Sequence, residues 1–218
     1  MAKNFGHETF LFSVSFELKS QIEDLYRRTG LTKESCFHAS RRMKKHDNLS
    51  LMAMTTLSFG LIIVSMLSQI YNENLFIVAY NRFIGFSITS MSVFALAFSV
   101  LVHKSGFGVK AEGYRKQAMA ISDLRISFRP LLENESGDGR SREDIYNEKS
   151  EEYAKILNGN IVHDQIDYLV SSSQGMEKKY HSLKLFVSEF FWYWMVFISI
   201  FLLVIWVFYG VYHEEMSR

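Results

Sequence analysis

The sequence from Leu49 to Ile70 is LSLMAMTTLSFGLIIVSMLSQI, a stretch that contains no ionisable side chain. As an α-helix, these 22 residues extend about 33 Å, which is enough to cross a hydrocarbon core of about 30 Å. A soluble domain needs only one apolar stripe on a helix, whereas this stretch is apolar on all sides. Residues 49–70 are therefore predicted to span a membrane.

Two further apolar blocks lie in the 218-residue chain. Residues 80–102 are predicted to cross back and form a transmembrane hairpin with the first span, with Arg82 at the interface. Residues 185–212 contain the charge-free run FFWYWMVFISIFLLVIWVFY, which has Trp and Tyr near both ends, as interfacial belts do. Since the chain shows no sustained strand alternation, we predict an all-α integral membrane protein with a hairpin and a third C-terminal transmembrane helix.

Basic residues are distributed unevenly between the polar segments, and this distribution sets the predicted topology. The arm of residues 1–48 holds nine Lys and Arg and residues 103–184 hold thirteen, whereas the turn at 71–74 holds none. By the positive-inside rule both large polar segments are cytoplasmic, so three crossings leave residues 213–218 outside as a short tail. The net charge of +1 and the single Cys36 argue against a nucleic-acid-binding protein and a disulfide-stapled secreted domain.

The N-terminal arm shows helical spacing of its apolar residues. Glu17 to Arg28 is predicted to form a helix that ends at Gly30, and a second helix is predicted to start at Thr32 and continue into the membrane. Before the first span this helix carries a basic collar, which consists of Arg41, Arg42, Lys44 and Lys45. Such residues normally anchor a span at anionic headgroups, and sensing of a specific lipid is the alternative.

The central segment is predicted to contain two amphipathic helices. The first begins at Val109 and ends at Arg129, because Pro130 disfavours a helical residue before it. Its apolar stripe consists of Tyr114, Ala118, Ile121, Leu124 and Phe128. The second begins after Ser141 and ends at Asn158. The two helices are expected to close on one another as a hairpin or to pair between subunits.

No familiar catalytic, metal-binding or cofactor-binding signature is present in the sequence. His163 and Asp167 are four residues apart, a spacing that suits two metal ligands or an acid–base pair, but no third group can be assigned to them. The alternative is a structural hydrogen bond or a packing contact. We therefore expect no catalytic residue, no metal and no cofactor.

Small and hydroxylated side chains line one face of the second span. They recur at intervals of three or four residues, and they are Gly85, Thr89, Ser92, Ala95 and Ser99. Such a face permits close helix packing, or it lines a narrow path for ions or solutes when several copies surround it. In the second case Arg82 would lie at the outer mouth; otherwise it extends to the headgroups. Glu189, at the inner end of the third span, is expected at the interface, with pairing to a Lys or Arg as the alternative.

Three stretches of the chain form a familiar arrangement, and they are ESCFHASRRMKKHDNLSLMAMTTLSFGLIIVSML, GYRKQAMAISDLRISF and EEYAKILNGNIVHDQIDYL. Together they resemble the SLATT family, which comprises bacterial two-transmembrane effector domains. The family-like positions are Arg41 and Arg42 before the first span, and Tyr153, Asn160, His163 and Asp167 after the second. The third span is a departure, because a two-transmembrane pattern does not require it.

The resemblance implies a non-enzymatic effector of antiphage defence of the abortive-infection type. It would oligomerise in the bacterial inner membrane and permeabilise or depolarise that membrane on activation. The implied partners are the lipid bilayer, further copies of the chain, and a nucleotide second messenger or a sensor protein such as a nucleotidyltransferase or reverse transcriptase. The alternative is a non-conducting membrane anchor or scaffold for a cytoplasmic enzyme or signalling partner.

Overall fold

The computed structural model describes residues 5–132, 142–158, 165–173 and 175–217 of the chain, and these parts are helical except at a few turn residues. Side-chain surroundings are described for residues 20–128, 143–158, 165–173 and 175–217. The helices are α1 (Phe5–Ile70), α2 (Leu75–Ser105), α3 (Phe107–Leu132), α4 (Arg142–Asn158), α5 (Gln165–Ser172), α6 (Gly175–Leu185), a π-helical turn (Phe186–Phe190) and α7 (Phe191–Ser217). No strand occurs in these ranges, and the predicted all-α fold class is confirmed.

Helix α1 contains the N-terminal arm and the first apolar block without interruption. The predicted helix end at Gly30 is wrong, because α1 continues through this residue. A side chain at Gly30 would collide with the guanidinium group of Arg125, so the glycine makes room for that side chain instead of ending the helix. Because no other break separates the arm from the apolar block, the two form one long helix.

Helices α2 and α3 begin and end at residues with clear local causes. The side chain of Asn74 caps α2 by accepting a hydrogen bond from the amide of Phe76, at 3.0 Å. Gly106 separates α2 from α3 with a φ of 57°, a left-handed conformation that glycine adopts without strain. The predicted end of α3 at Arg129 is wrong, since the helix continues to Leu132. Pro130 lies in its last turn, where it removes only one backbone hydrogen bond.

The third apolar helix is built from α6, the π-helical turn and α7 in direct succession. Single π-helical turns inside α-helices are frequent at functional positions. Helix α7 ends at Ser217, so the segment predicted as a short tail is helical almost to its end. The carboxylate of Glu214 accepts hydrogen bonds from the backbone amides of Leu75 and Phe76, at 2.9 and 2.6 Å. Glu214 thereby satisfies two of the first amides of α2, which have no partner within their own helix.

Three helical stretches are long and apolar enough to cross a membrane, namely Ser20–Ile70, Leu75–Phe128 and Gly175–Ser217. The chain divides into two compact units. The polar unit comprises Met1–Arg42 and Val109–Ser182, and the apolar unit comprises Met43–Gly108 and Leu183–Arg218. The division after Arg42 precedes the predicted start of the first span by about two helical turns, because His46 packs among residues of the apolar unit.

The polar unit buries apolar faces of α1, α3 and α4 against one another. One cluster joins residues of α1 and α3, with tyrosines and an isoleucine of α4 packed against it: Ile22, Leu25, Leu124 and Phe128, with Tyr146, Tyr153 and Ile156. All five residues of the predicted α3 stripe are buried, so that stripe is confirmed. Helix α4 finds its packing partners within the same chain, which fits the intramolecular alternative better than pairing between subunits.

The apolar unit has a narrow core and an apolar surface. The core joins α1, α2 and α7 and consists of Val64, Ile77, Ile84, Val207 and Val211. Many large apolar side chains of the same helices are exposed, and Phe86 and Leu96 of α2 are 71% and 70% exposed. Such a continuous apolar surface is favourable next to lipid and unfavourable in water.

Candidate functional site

A buried charged cluster lies in the polar unit, where α5 meets α1. Asp167, in the first turn of α5, is fully buried and accepts two hydrogen bonds from Arg42, from Nη2 at 2.8 Å and from Nε at 3.1 Å. His38 Nδ1 lies 2.9 Å from Oδ1 of the same carboxylate. The pairing of a planar guanidinium with both carboxylate oxygens is a strong and directional arrangement. It attaches α5 to α1.

A second polar contact joins α4 to the same part of α1. The hydroxyl groups of Tyr153 and Thr32 lie 2.7 Å apart and share a hydrogen bond. Two of the family-like positions predicted after the second span, Tyr153 and Asp167, are thus both bonded to α1 in the polar unit. The other two, Asn160 and His163, lie outside the described residues.

The chemistry of the cluster around Asp167 is that of a structural contact. A carboxylate held by a bidentate arginine has little capacity left to serve as a base or a metal ligand. Cys36 is fully buried beside it, and burial together with the Asp167 charge raises the pKa of the thiol to about 11. The thiol is therefore protonated at neutral pH and a poor nucleophile. Within the described ranges no group of three or more His, Cys, Asp or Glu could hold a metal ion.

The predicted basic collar separates into two kinds of residue. Arg41, Lys44 and Lys45 are exposed, as headgroup contact requires. Arg42 is only 6% exposed and is bound to Asp167, so it departs from the role predicted for it. This pairing arises only in the tertiary structure, because the carboxylate that neutralises the charge of Arg42 lies 125 residues further along the chain.

The predicted small-residue face of α2 lies on the surface of the apolar unit. Gly85, Thr89, Ser92 and Ser99 are exposed and Ala95 is partly buried. Thr89 and Ser92 donate their hydroxyl protons to backbone carbonyls one turn earlier, at 2.9 and 2.8 Å. Their oxygens retain acceptor capacity that faces outward. In the most apolar 18 residues of the stretch that contains α2, 6% of the residues are buried. The corresponding shares for the stretches that contain α1 and α7 are 33% and 17%.

Arg82 is also exposed, about two turns into α2. The predicted interfacial position of this residue remains a prediction, as does its predicted place at a pore mouth. The stripe and Arg82 belong to the helix of the apolar unit whose surface is least covered by the rest of the chain.

Sequence reasoning missed a second polar cluster, which is partly buried and lies in the apolar unit. His46 stacks on Phe107 and Phe190, with ring centroids 5.1 and 4.6 Å away. Its Nε2 lies 2.8 Å from Glu189 Oε2 and its Nδ1 lies 3.2 Å from the Tyr193 hydroxyl. Glu189, for which pairing with a Lys or Arg was the expected alternative, therefore pairs with a histidine. A signal existed, because His38, Arg42 and His46 recur at four-residue intervals along α1.

These features define the class of protein: an all-α membrane protein with three membrane-length helices and a helical polar unit. The SMODS and SLOG-associating 2TM effector domain family 5 matches residues 18–212, and the chain belongs to this family. The predicted resemblance is confirmed, and the matched range includes most of the third apolar helix. Membership implies an effector of an antiphage conflict system. No curated protein and no solved structure matches the chain.

Proposed function

We propose that this protein is a non-enzymatic membrane effector of bacterial antiphage defence, of the abortive-infection type. On activation it would assemble as a homo-oligomer and permeabilise or depolarise the inner membrane. The observation that carries the proposal is the bare surface of α2, which presents small and hydroxylated side chains over several turns.

The surface of α2 suits contact with copies of itself. Small residues let helix backbones approach closely in a membrane, and exposed hydroxyl oxygens can accept hydrogen bonds from a neighbour or from water. A helix that faces only lipid gains nothing from such residues, since lipid tails pack equally well against larger apolar side chains. Several copies of α2 around one axis would line a narrow path with Thr89, Ser92 and Ser99, and with Arg82 at its outer mouth.

The polar unit is proposed to receive the activating signal on the cytoplasmic side. By the positive-inside rule the N-terminus and the central segment lie inside, and the C-terminus lies outside. The activating partner would be a nucleotide second messenger or a sensor protein such as a nucleotidyltransferase or reverse transcriptase. Such a signal needs only to shift a conformational equilibrium, so its reception requires no catalytic group. The buried ion pair of Arg42 and Asp167 would take part in that shift.

Controlled expression in bacterial cells tests the proposal. We expect activation to be followed by loss of membrane potential and by entry of a small impermeant dye. Ser92→Leu and Gly85→Leu should abolish both effects while the protein still inserts, because each fills the small-residue face. The control is Val93→Leu, which changes an exposed α2 residue beside the stripe.

Two results would overturn this function. Cells arrested by the wild-type protein with an intact membrane potential would exclude permeabilisation and favour the non-conducting scaffold. Full depolarisation by both stripe variants, at the same membrane content as the control variant, would remove the stripe from the mechanism.

A further inference from the structure

A groove of about 680 Å³ lies in the apolar unit between α2 and the third apolar helix. Its wall is mainly aromatic and thioether, with one carboxylate, and it includes Met91, Phe94, Phe98, Trp192, Tyr193 and Glu189. Its size falls within the range of small-molecule sites in proteins, which is about 300 to 1,000 Å³. The groove is distinct from the stripe on α2.

The groove has the length of one acyl chain. On the third apolar helix its lining extends from Glu189 to Ser199, about 15 Å along the helix axis. This distance equals one leaflet, or half of a hydrocarbon core of about 30 Å. On α2 the lining extends from Ser90 to Phe98, about 12 Å. The apolar part of the groove therefore fits a linear chain that lies parallel to the two helices.

One end of the groove has charged side chains that complement the charges of a lipid headgroup. Glu189 immediately precedes the charge-free run that starts at Phe190, so it lies where the hydrocarbon core would begin. Its carboxylate accepts a hydrogen bond from His46, and its side chain is 27% exposed. Lys45 is exposed and its ammonium group lies 5.2 Å from the centroid of the Phe190 ring. A negative and a positive group thus flank Phe190 at the same end.

We propose that this groove binds one amine-headed zwitterionic phospholipid of the phosphatidylethanolamine type. Its ammonium group is held by Glu189, its phosphate lies near Lys45, and one acyl chain lies against Phe94, Phe98 and Trp192. An anionic lipid such as phosphatidylglycerol has the same phosphate but lacks the ammonium group, so it offers no positive charge to the Glu189 carboxylate and is disfavoured. The proposal does not depend on whether the protein permeabilises the membrane.

The test uses the full chain in nanodiscs that contain equal amounts of phosphatidylethanolamine and phosphatidylglycerol. After transfer to mild detergent, native mass spectrometry counts the lipids retained on each chain. We expect one retained phosphatidylethanolamine and a severalfold preference over phosphatidylglycerol. Glu189→Gln should remove the preference and retain the binding, because it changes the charge and leaves the apolar wall.

Two groove-filling variants test the location. Ser199→Trp and Met91→Trp should each lower lipid retention severalfold, since the indole occupies the space of the acyl chain. Ile205→Trp is the matched control, because Ile205 is exposed on the same helix outside the groove lining.

Three outcomes would overturn the proposal. They are equal retention of the two lipids by the wild-type chain, undiminished retention by both groove-filling variants, and a crosslink of the Met195→Cys variant to a second chain in the groove. The last experiment is done in a Cys36→Ser background.

Discussion

The polar unit and the apolar unit differ in where their apolar and charged side chains lie. In the polar unit Ile121 and Phe128 are fully buried and the charged pair of Arg42 and Asp167 lies inside. In the apolar unit large side chains such as Phe86 are exposed while the core is narrow. The hydrophobic effect therefore stabilises the polar unit directly, whereas the apolar unit depends on lipid to cover its surface.

The cluster around Asp167 and the cluster around His46 show the same contrast on a smaller scale. In the polar unit Asp167 is fully buried and held by an arginine, whose charge does not titrate in the physiological range. In the apolar unit the side chain of Glu189 is 27% exposed and held by His46. The first arrangement fixes a contact between helices, and the second includes a carboxylate that is partly exposed. The difference teaches that charge is used for cohesion in one unit and for recognition in the other, as we propose for the lipid groove.

The largest expected effect comes from breaking the buried pair. Asp167→Ala leaves Arg42 buried without its counter-ion and should destabilise the polar unit by about 3–5 kcal/mol. The measurement is thermal unfolding of the full chain in detergent. The double variant Arg42→Met with Asp167→Leu should recover much of the loss, because it buries no unpaired charge.

An exposed ion pair provides the control for this prediction. Asp24 pairs with Arg27 and Arg28 on the surface, and their side chains lower the pKa of its carboxyl group. Asp24→Ala should leave the unfolding temperature nearly unchanged, because exposed pairs contribute little. If Asp24→Ala and Asp167→Ala shifted the unfolding temperature equally, the contrast between buried and exposed charge would be lost.

One substitution made in both units measures the difference in burial. Ile121→Ala removes a fully buried side chain from the polar unit and should cost about 2–5 kcal/mol. Ile62→Ala removes a side chain that is 55% exposed in the apolar unit, and it should cost much less in detergent. Unfolding of both variants of the full chain in the same detergent gives the comparison. Equal losses would mean that the apolar unit is packed like a soluble core.

The smallest expected effect is on the chemical reactivity of the Cys36 thiol. Because its pKa is raised to about 11, the folded thiol should react with a maleimide at pH 8 far more slowly than in the denatured chain. The raised pKa also means that the folded state holds this proton more tightly. Its contribution to stability is present below the usual thiol pKa of 9.0 and is lost as the pH rises through about 11.

Labelling in native and denatured samples, followed by mass spectrometry, measures the rate. Rapid labelling of the native chain would show that the part of the polar unit around Cys36 opens readily. Serine at this position provides the unreactive control.

The periodicity and apolar blocks of the sequence predicted most of the fold. Runs without charge, such as residues 49–70, have no stable place except lipid or a large core, so their length alone indicates spans. The α3 stripe from Tyr114 to Phe128 was likewise predictable, because helical spacing determines which side chains share a face. The helix ends were less predictable. At Gly30 a glycine that suggested a cap instead makes room for Arg125, a residue remote in sequence.

The candidate sites were predictable only in part. Asp167, Arg42 and Glu189 were each singled out from the sequence, but none of their partners was identified. A charge pattern shows which residues carry charge and not which opposite charge will be buried with it.

The sequence by itself determined the helical class, the three membrane-length stretches and the face of α2 that carries small residues. These properties depend on spacing along one helix and on the free energy of placing apolar side chains in lipid or water. Only the tertiary structure decided that Arg42 is buried on Asp167, that His46 pairs with Glu189, and that Phe94 and Trp192 form one groove. Such contacts join residues far apart in the chain, and they exist only when packing brings distant helices together.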